Sequence, residues 1–207
     1  MSNIILLNGC SSSGKSTIAL KLQQLLSEPY QYLSLDQFRD GLPLSHRGLN
    51  SPAHTPGAAG LNVVPRLDNG EPVTDIQFGA HGERVLKAMR RTVASFSDLG
   101  LHVIVDDLLF KREYLEDYVS VLNPTDVWFI GVHCELAVIK AREAQRQGRF
   151  PGTATAHYKQ VHQHGCTYDL EVDTTVATPS EVAQIIITRL QSPPQAFSRK
   201  KVDLARP

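Results

Sequence analysis

The stretch Asn8-Gly9-Cys10-Ser11-Ser12-Ser13-Gly14-Lys15-Ser16-Thr17 fits the pattern G-x-x-x-x-G-K-[ST] without a gap and constrains this chain more than any other feature. The apolar run Ile4-Ile5-Leu6-Leu7 precedes it. Behind it, Ile18, Leu22, Leu25 and Leu26 recur at the spacing of one helical face, so the context is strand, loop, helix. Gly9 and Gly14 permit backbone conformations that let consecutive amide N–H groups turn inward around a polyphosphate. A helix beginning near Lys15 aims its unpaired N–H groups and positive dipole end at the same point. In this pattern Lys15 reaches the β- and γ-phosphates, and Ser16 offers its hydroxyl to Mg²⁺. Gly9, Cys10, Ser11, Ser12, Ser13, Gly14, Lys15, Ser16 and Thr17 are therefore the expected nucleotide contacts, with ATP and Mg²⁺ as cofactors. A Gly/Ser-rich turn matching by accident would not be framed by a buried strand and an amphipathic helix.

At 207 residues the chain suits one well-buried domain, expected over residues 1–192. Its formal net charge is zero, which argues against a nucleic-acid partner, since such proteins carry a basic excess or stripe. No apolar run approaches the roughly 20 residues of a membrane span. No secretory leader pattern precedes the first strand, and Cys10, Cys134 and Cys166 are an odd number without metal-ligand spacing. Both point to a cytoplasmic protein. Cys10 reads as a small side chain tolerated in the loop, with an oxidisable thiol as the alternative.

The second strand candidate, Tyr30-Gln31-Tyr32-Leu33-Ser34-Leu35, ends on Asp36. In an open parallel sheet the residues following successive strands converge on one crevice, so Asp36 is a candidate for catalysis or substrate orientation. A helix N-cap is the alternative. Residues 41–79 are rich in Pro and Gly and carry His46 and His54, and two short strands flank Asp68-Asn69-Gly70, a strong hairpin signal. This insertion reads as an excursion over the acceptor side of the crevice, or else as a mobile surface loop. A helix follows over residues 79–99. Then Leu101-His102-Val103-Ile104-Val105-Asp106-Asp107 has the form of a central strand with a Mg²⁺-binding carboxylate at its tip, Asp106 first and Asp107 second. Either could instead cap the helix after it.

A fourth strand, Asp126-Val127-Trp128-Phe129-Ile130-Gly131-Val132, leads into residues 135–152. There Arg142 and Arg146 stand four apart, on one helical face, and Arg149 lies just past Gly148. Such guanidinium groups can close on a triphosphate as a lid and neutralise charge as the γ-phosphoryl leaves. A solvated helix face is the plainer alternative. Residues 153–164 read as a helix with no evident catalytic histidine, residues 167–173 as an edge strand, and Thr178-Pro179-Ser180-Glu181 as a capping box opening a last helix. Residues 193–207 read as a flexible basic tail.

Together these stretches resemble the chloramphenicol phosphotransferases, small kinases that pass the γ-phosphoryl of ATP to a hydroxyl of the antibiotic. The likeness rests on residues 4–15, Leu35-Asp36 followed by Gly41-Leu42-Pro43-Leu44, Val103-Ile104-Val105-Asp106-Asp107, Trp128-Phe129-Ile130-Gly131-Val132-His133-Cys134, Arg142-Glu143, and Tyr168-Asp169-Leu170-Glu171-Val172-Asp173-Thr174-Thr175. The resemblance implies an α/β P-loop fold of nucleotide-kinase type, with a five-stranded parallel sheet in order 2-3-1-4-5 and helices on both faces. It implies Asp36 as the group that accepts the acceptor's proton, and Arg142 with Arg146 or Arg149 as the nucleotide lid. Residues 45–65 are longer and richer in Pro, Gly and His than the family pattern, so fold and donor carry over further than the acceptor does.

The expected activity is an ATP- and Mg²⁺-dependent phosphotransferase acting on a hydroxyl of a small molecule. The expected catalytic residues are Asp36, Lys15, Arg142 and Arg146, with Arg149 on the nucleotide and Ser16 and Asp106 on the metal. A kinase of another metabolite or nucleoside is one alternative. A nucleotide-dependent switch that docks a protein through residues 41–79 is another. No membrane or nucleic-acid partner is expected, and a homo-oligomer stays open.

Overall fold

In the computed structural model, which describes residues 3–204, the chain begins with β1 (Ile4–Gly9), α1 (Lys15–Leu25), β2 (Tyr30–Ser34) and α2 (Leu35–Asp40). An insertion follows, made of β3 (Arg47–Leu49), α3 (Pro56–Ala59), β4 (Leu61–Asp68) and β5 (Glu71–Phe78). The remainder runs α4 (Ala80–Asp98), β6 (His102–Asp107), α5 (Arg112–Val121), β7 (Val127–His133), α6 (Leu136–Ala144) and α7 (Thr153–His157). It closes with β8 (Leu170–Asp173), α8 (Pro179–Arg189) and α9 (Ala196–Leu204).

β1 is buried along its whole length, as a strand covered on both faces must be. It lies between β6 and β7, parallel to both, with Leu7 opposite Asp106 and Gly9 opposite Val132. Alternation sends Ile4 and Leu6 to the face packed by Leu86, Met89 and Val93 of α4 and Tyr118 of α5. Ile5 and Leu7 meet Ile18 and Leu22 of α1 and Val182 and Ile186 of α8 on the other face. Each such side chain contributes about 1.5–3 kcal/mol on burial, which fixes the sheet between its two helical layers. The main sheet has the order β2-β6-β1-β7-β8. Counting its own strands alone, this is the 2-3-1-4-5 order implied by the resemblance. The detail that differs is a second sheet, β3-β4-β5, contributed by the insertion.

That insertion is far more regular than its Pro- and Gly-rich composition suggests. β4 and β5 pair antiparallel from Leu61 opposite Phe78 to Asp68 opposite Glu71, and Asn69 and Gly70 turn the chain with φ of 51° and 82°. β5 is tied to the segment before α7: Thr74 N donates to Gly152 O at 3.2 Å, and Thr74 Oγ1 donates to Pro151 O at 2.8 Å. Gly152 has φ of 77°, and a Cβ there would stand 2.0 Å from Pro72 O. Gly152→Ala is therefore expected to lower stability by about 1–3 kcal/mol, because neither the left-handed backbone nor the collision can be relieved locally. Urea unfolding checks this, and an unchanged midpoint would contradict the docking of β5.

The structure departs from three expectations and from one alternative. Asp36 is not an N-cap: β2 stops at Ser34, whose Oγ accepts from Gln37 N in a capping box, and Asp36 lies inside α2. Arg142 and Arg146 do not share a helical face, since α6 ends at Ala144 and the chain turns at Gly148 with φ of 71°. Residues 153–164 are not one helix, for α7 ends at His157 and a separate 3₁₀ turn spans Gln160–His162. Within the stretch read as a flexible tail, residues 196–204 form α9, because Phe197 is fully buried and packs 5.8 Å from Phe129 between ring centroids. Residues 205–207 lie outside the described residues.

Candidate active site

The parallel sheet brings the ends of β1, β2 and β6 to one edge, where a cleft of about 490 Å³ opens. Ser11, Ser12, Gly14, Lys15, Ser16 and Thr17 line it. Ser12 and Gly14 have φ of 63° and 96°, and such left-handed residues turn successive amides toward one concave side. Gly9, Cys10 and Ser13 stand behind the cleft. A Cβ on Gly9 would come 2.3 Å from Val132 O, so only glycine lets the loop leave β1 beside β7. Cys10 donates Sγ–H to Ala154 O, and burial pushes its thiol up to about 12, in keeping with a small side chain accommodated in the loop.

At the base of the loop, Lys15 Nζ donates to Gly9 O at 2.8 Å and Cys10 O at 3.0 Å, and lies 3.5 Å from Asp106 Oδ1. Ser16 Oγ donates to Asp106 Oδ2 at 2.6 Å, and Tyr32 OH reaches the same oxygen at 3.1 Å. A hydroxyl and a carboxylate side by side at a phosphate loop are the hard oxygen donors that suit Mg²⁺. Asp107 points elsewhere. It is fully buried, accepts from Tyr118 OH at 2.9 Å and Leu108 N at 2.7 Å, and burial raises its carboxyl to about 6.

Positive charge gathers at the cleft although the whole chain is neutral. Lys15, Arg39, Arg142, Arg146 and Arg149 line it, against Asp36 and Asp106. Arg142 is held by Thr174, with Nη2 donating to its carbonyl at 2.7 Å and Nη1 to its hydroxyl at 3.2 Å. Arg146 Nη1 reaches Ser12 Oγ at 3.5 Å. Arg149 Nη2 pairs with Asp36 Oδ2 at 2.8 Å, and Arg39 Nη1 with Asp36 Oδ1 at 2.7 Å. Arg142, Arg146 and Arg149 thus converge on the cleft although only Arg142 is helical. Arg39, one turn after Asp36 on α2, was visible in the sequence as an i,i+3 partner and was not singled out there.

Beyond Asp36 the wall is apolar, formed by Leu35, Ile76 and Phe78 of β5, Leu108 and Phe110. His157 closes it, edge-on to Phe110 at 5.1 Å between centroids. Its Nε2 accepts from Ser11 N at 3.2 Å. Glu143 supports this corner: its Oε2 accepts from Gly152 N at 2.9 Å and its Oε1 from Ala154 N at 2.8 Å, fixing the start of α7. No spacing rule links Glu143 or His157 to the loop. Behind the loop, Asn8 Nδ2 donates to Tyr168 OH at 2.7 Å, and that hydroxyl also meets His162 Nδ1 and His164 Nε2 at 2.7 and 2.8 Å.

Burial lowers three histidines, His157 to about 3 and His162 and His164 to about 4, against an ordinary 6.5. The unfolded chain therefore binds more protons than the folded one below pH 6.5, and the stability these rings supply above that value is lost as pH falls toward 4. Asp107, raised to about 6, acts oppositely, as one group against three. The melting temperature is expected to drop steadily from pH 7 to pH 5 in calorimetry. A flat profile would mean these rings are not held neutral.

Phosphate loop, carboxylate-capped neighbouring strand and convergent arginines on a 2-3-1-4-5 sheet define a P-loop kinase fold. The model of the chloramphenicol phosphotransferase-like proteins matches residues 2–191, and this chain belongs to that family, as a phosphotransferase. A Mycobacterium tuberculosis (strain H37Rv) protein provisionally named an O-phosphotransferase is 30% identical over 208 residues, covering 95% of this chain and 86% of its own length. Among solved structures, the APS kinase of M. tuberculosis in complex with AMPPNP and APS superposes with a TM-score of 0.60 at 18% identity, over 92% of this chain and 98% of its own. A gluconokinase from Sinorhizobium meliloti does so with a TM-score of 0.57 at 18% identity, over 98% and 95%. No helix among the described residues is long and apolar enough to cross a membrane.

Proposed function

We propose that this phosphotransferase moves the γ-phosphoryl group of ATP to a hydroxyl of a small molecule, using Asp36 as the proton acceptor. One observation carries the reading. The segment after α6 spans the cleft from the phosphate loop, through Arg146 and Ser12, to Asp36, through Arg149, so a phosphoryl group passing between them lies under two guanidiniums. The amides around Ser12 and Gly14, with Lys15, hold the phosphates, and Arg142, Ala177 and Pro179 frame the base. Ser16 and Asp106 would hold Mg²⁺, which when bound neutralises phosphate charge. Arg149 exchanges Asp36 for the γ-phosphate and so frees one carboxylate oxygen. That oxygen takes the acceptor's proton as the acceptor oxygen bonds the γ-phosphorus, the bridging P–O bond breaks and ADP leaves. Placement and charge neutralisation supply most of the acceleration.

The acceptor is an alcohol with an apolar body, since Ile76, Phe78, Leu108 and Phe110 surround the space beyond Asp36. Chloramphenicol is the first candidate, which would make this an antibiotic-resistance enzyme. The departure at residues 45–65 favours a different alcohol or nucleoside as the second reading. A cytoplasmic setting fits the three unpaired cysteines. Release of ADP from Mg-ATP, measured across a panel of chloramphenicol, nucleosides, sugars and aromatic alcohols, should rise well above slow hydrolysis with at least one acceptor. Uniform basal hydrolysis would favour the nucleotide switch instead.

A further inference from the structure

His157 lines the acceptor wall, and the transfer chemistry assigns its imidazole no task. Its Nε2 accepts a hydrogen bond from Ser11 N at 3.2 Å, and a backbone amide can only donate. Nε2 is therefore unprotonated. A neutral imidazole then carries its proton on Nδ1. Among the described residues Nδ1 has no hydrogen-bond partner, while the ring lines the cleft against Phe110.

We propose that His157 is a specificity-determining residue whose Nδ1–H donates a hydrogen bond to a second oxygen of the acceptor, held in place by the Ser11 amide of the phosphate loop. The proposal rests on the transfer reading above and deepens it. Asp36 receives the hydroxyl that is phosphorylated, and His157 reads a carbonyl, nitro, ether or further hydroxyl oxygen across the apolar wall of Phe78, Leu108 and Phe110. An alcohol that lacks the second oxygen leaves that donor without an acceptor oxygen, and sites built to hydrogen-bond a substrate group discriminate strongly against the deficient analogue. The state of the ring agrees. Burial, helped by the charges of Lys15 and Arg149, pushes His157 down to about 3, so it stays a neutral donor at every working pH. The same ring ties the acceptor wall to the phosphate loop, residues 146 positions apart in sequence, so its two nitrogens serve two substrates.

Two substitutions separate those nitrogens. In His157→Gln the amide oxygen reaches as far as Nε2 and keeps the bond from Ser11, but the donor at the Nδ1 position is lost. In His157→Asn an amide N–H stands at the Nδ1 position and the bond from Ser11 is lost. Both are assayed with the acceptors that the wild-type protein phosphorylates in the panel above. His157→Gln should raise the acceptor KM about tenfold, the loss of one hydrogen bond, and leave the ATP KM within about twofold. His157→Asn should do the reverse. In parallel, ¹⁵N–¹H spectra of the histidine-labelled wild type should place the His157 proton on Nδ1. Equal rises of the acceptor KM in both variants, or a proton on Nε2, would overturn the proposal while leaving the kinase reading intact. If the wild type phosphorylates nothing, the kinase reading fails and takes this proposal with it.

Discussion

Asp36→Asn is expected to lower turnover by about 10²- to 10⁴-fold, the range for removal of a general base, while ATP binding measured by calorimetry stays within a few-fold of wild type. The substitution is nearly isosteric, so the acceptor still fits. An amide cannot take the hydroxyl proton, and it gives up the charge that draws Arg39 and Arg149 to its two oxygens. ATP affinity survives because Asp36 sits on α2, outside the phosphate loop, and because removing a negative charge from the cleft does not disfavour a triphosphate. Unchanged turnover would take Asp36 out of the mechanism and leave its ion pairs as a structural latch.

Lys15→Ala is expected to damage both steps. The Lys15 ammonium is almost wholly buried and bonds Gly9 O and Cys10 O, carbonyls of the loop it would leave to reach phosphate oxygens. A charge-assisted hydrogen bond is worth roughly 1.5–3 kcal/mol, so ATP affinity should fall by about ten- to a hundredfold. Loss of a cation aimed at developing phosphoryl charge should cost a further factor of about 10² to 10³ in turnover. Calorimetry and ADP release read the two losses separately. Lys15→Met, which keeps most of the buried stem, should show the same pair of losses. Wild-type kinetics in either variant would contradict the donor assignment.

The phosphate loop and its flanking elements were legible because their determinants are contiguous. One strand, one loop and one helix carry the glycines, Lys15 and Ser16, and the hydrophobic periods on either side name the elements. Asn69-Gly70 announced its hairpin for the same reason: two residues dictate the turn. α6 was read too long because Arg, Glu, Ala and Gln are good helix formers through Gln147, and propensity alone does not register the stop after Ala144. The arginines nevertheless converge, since ion pairing with Asp36 and contact with Ser12 need reach and not helical phase. α9 was misread because basic composition outweighed a single aromatic, and Phe197 decides the matter by filling the core against Phe129. The roles of His157 and Glu143 stayed hidden because their partners, Ser11 in one case and the start of α7 in the other, are set by tertiary packing that no local pattern encodes.

In the proposed reaction one cleft brings a triphosphate at the amide-lined loop within transfer distance of an alcohol held by Asp36. Mass spectrometry of the products formed from ATP labelled with ¹⁸O in its γ-phosphoryl group is the decisive experiment. A small molecule that gains the labelled phosphoryl group, formed by wild type and nearly absent with Asp36→Asn, is the predicted result. Label found solely in inorganic phosphate, released at the same rate by both proteins, would contradict it.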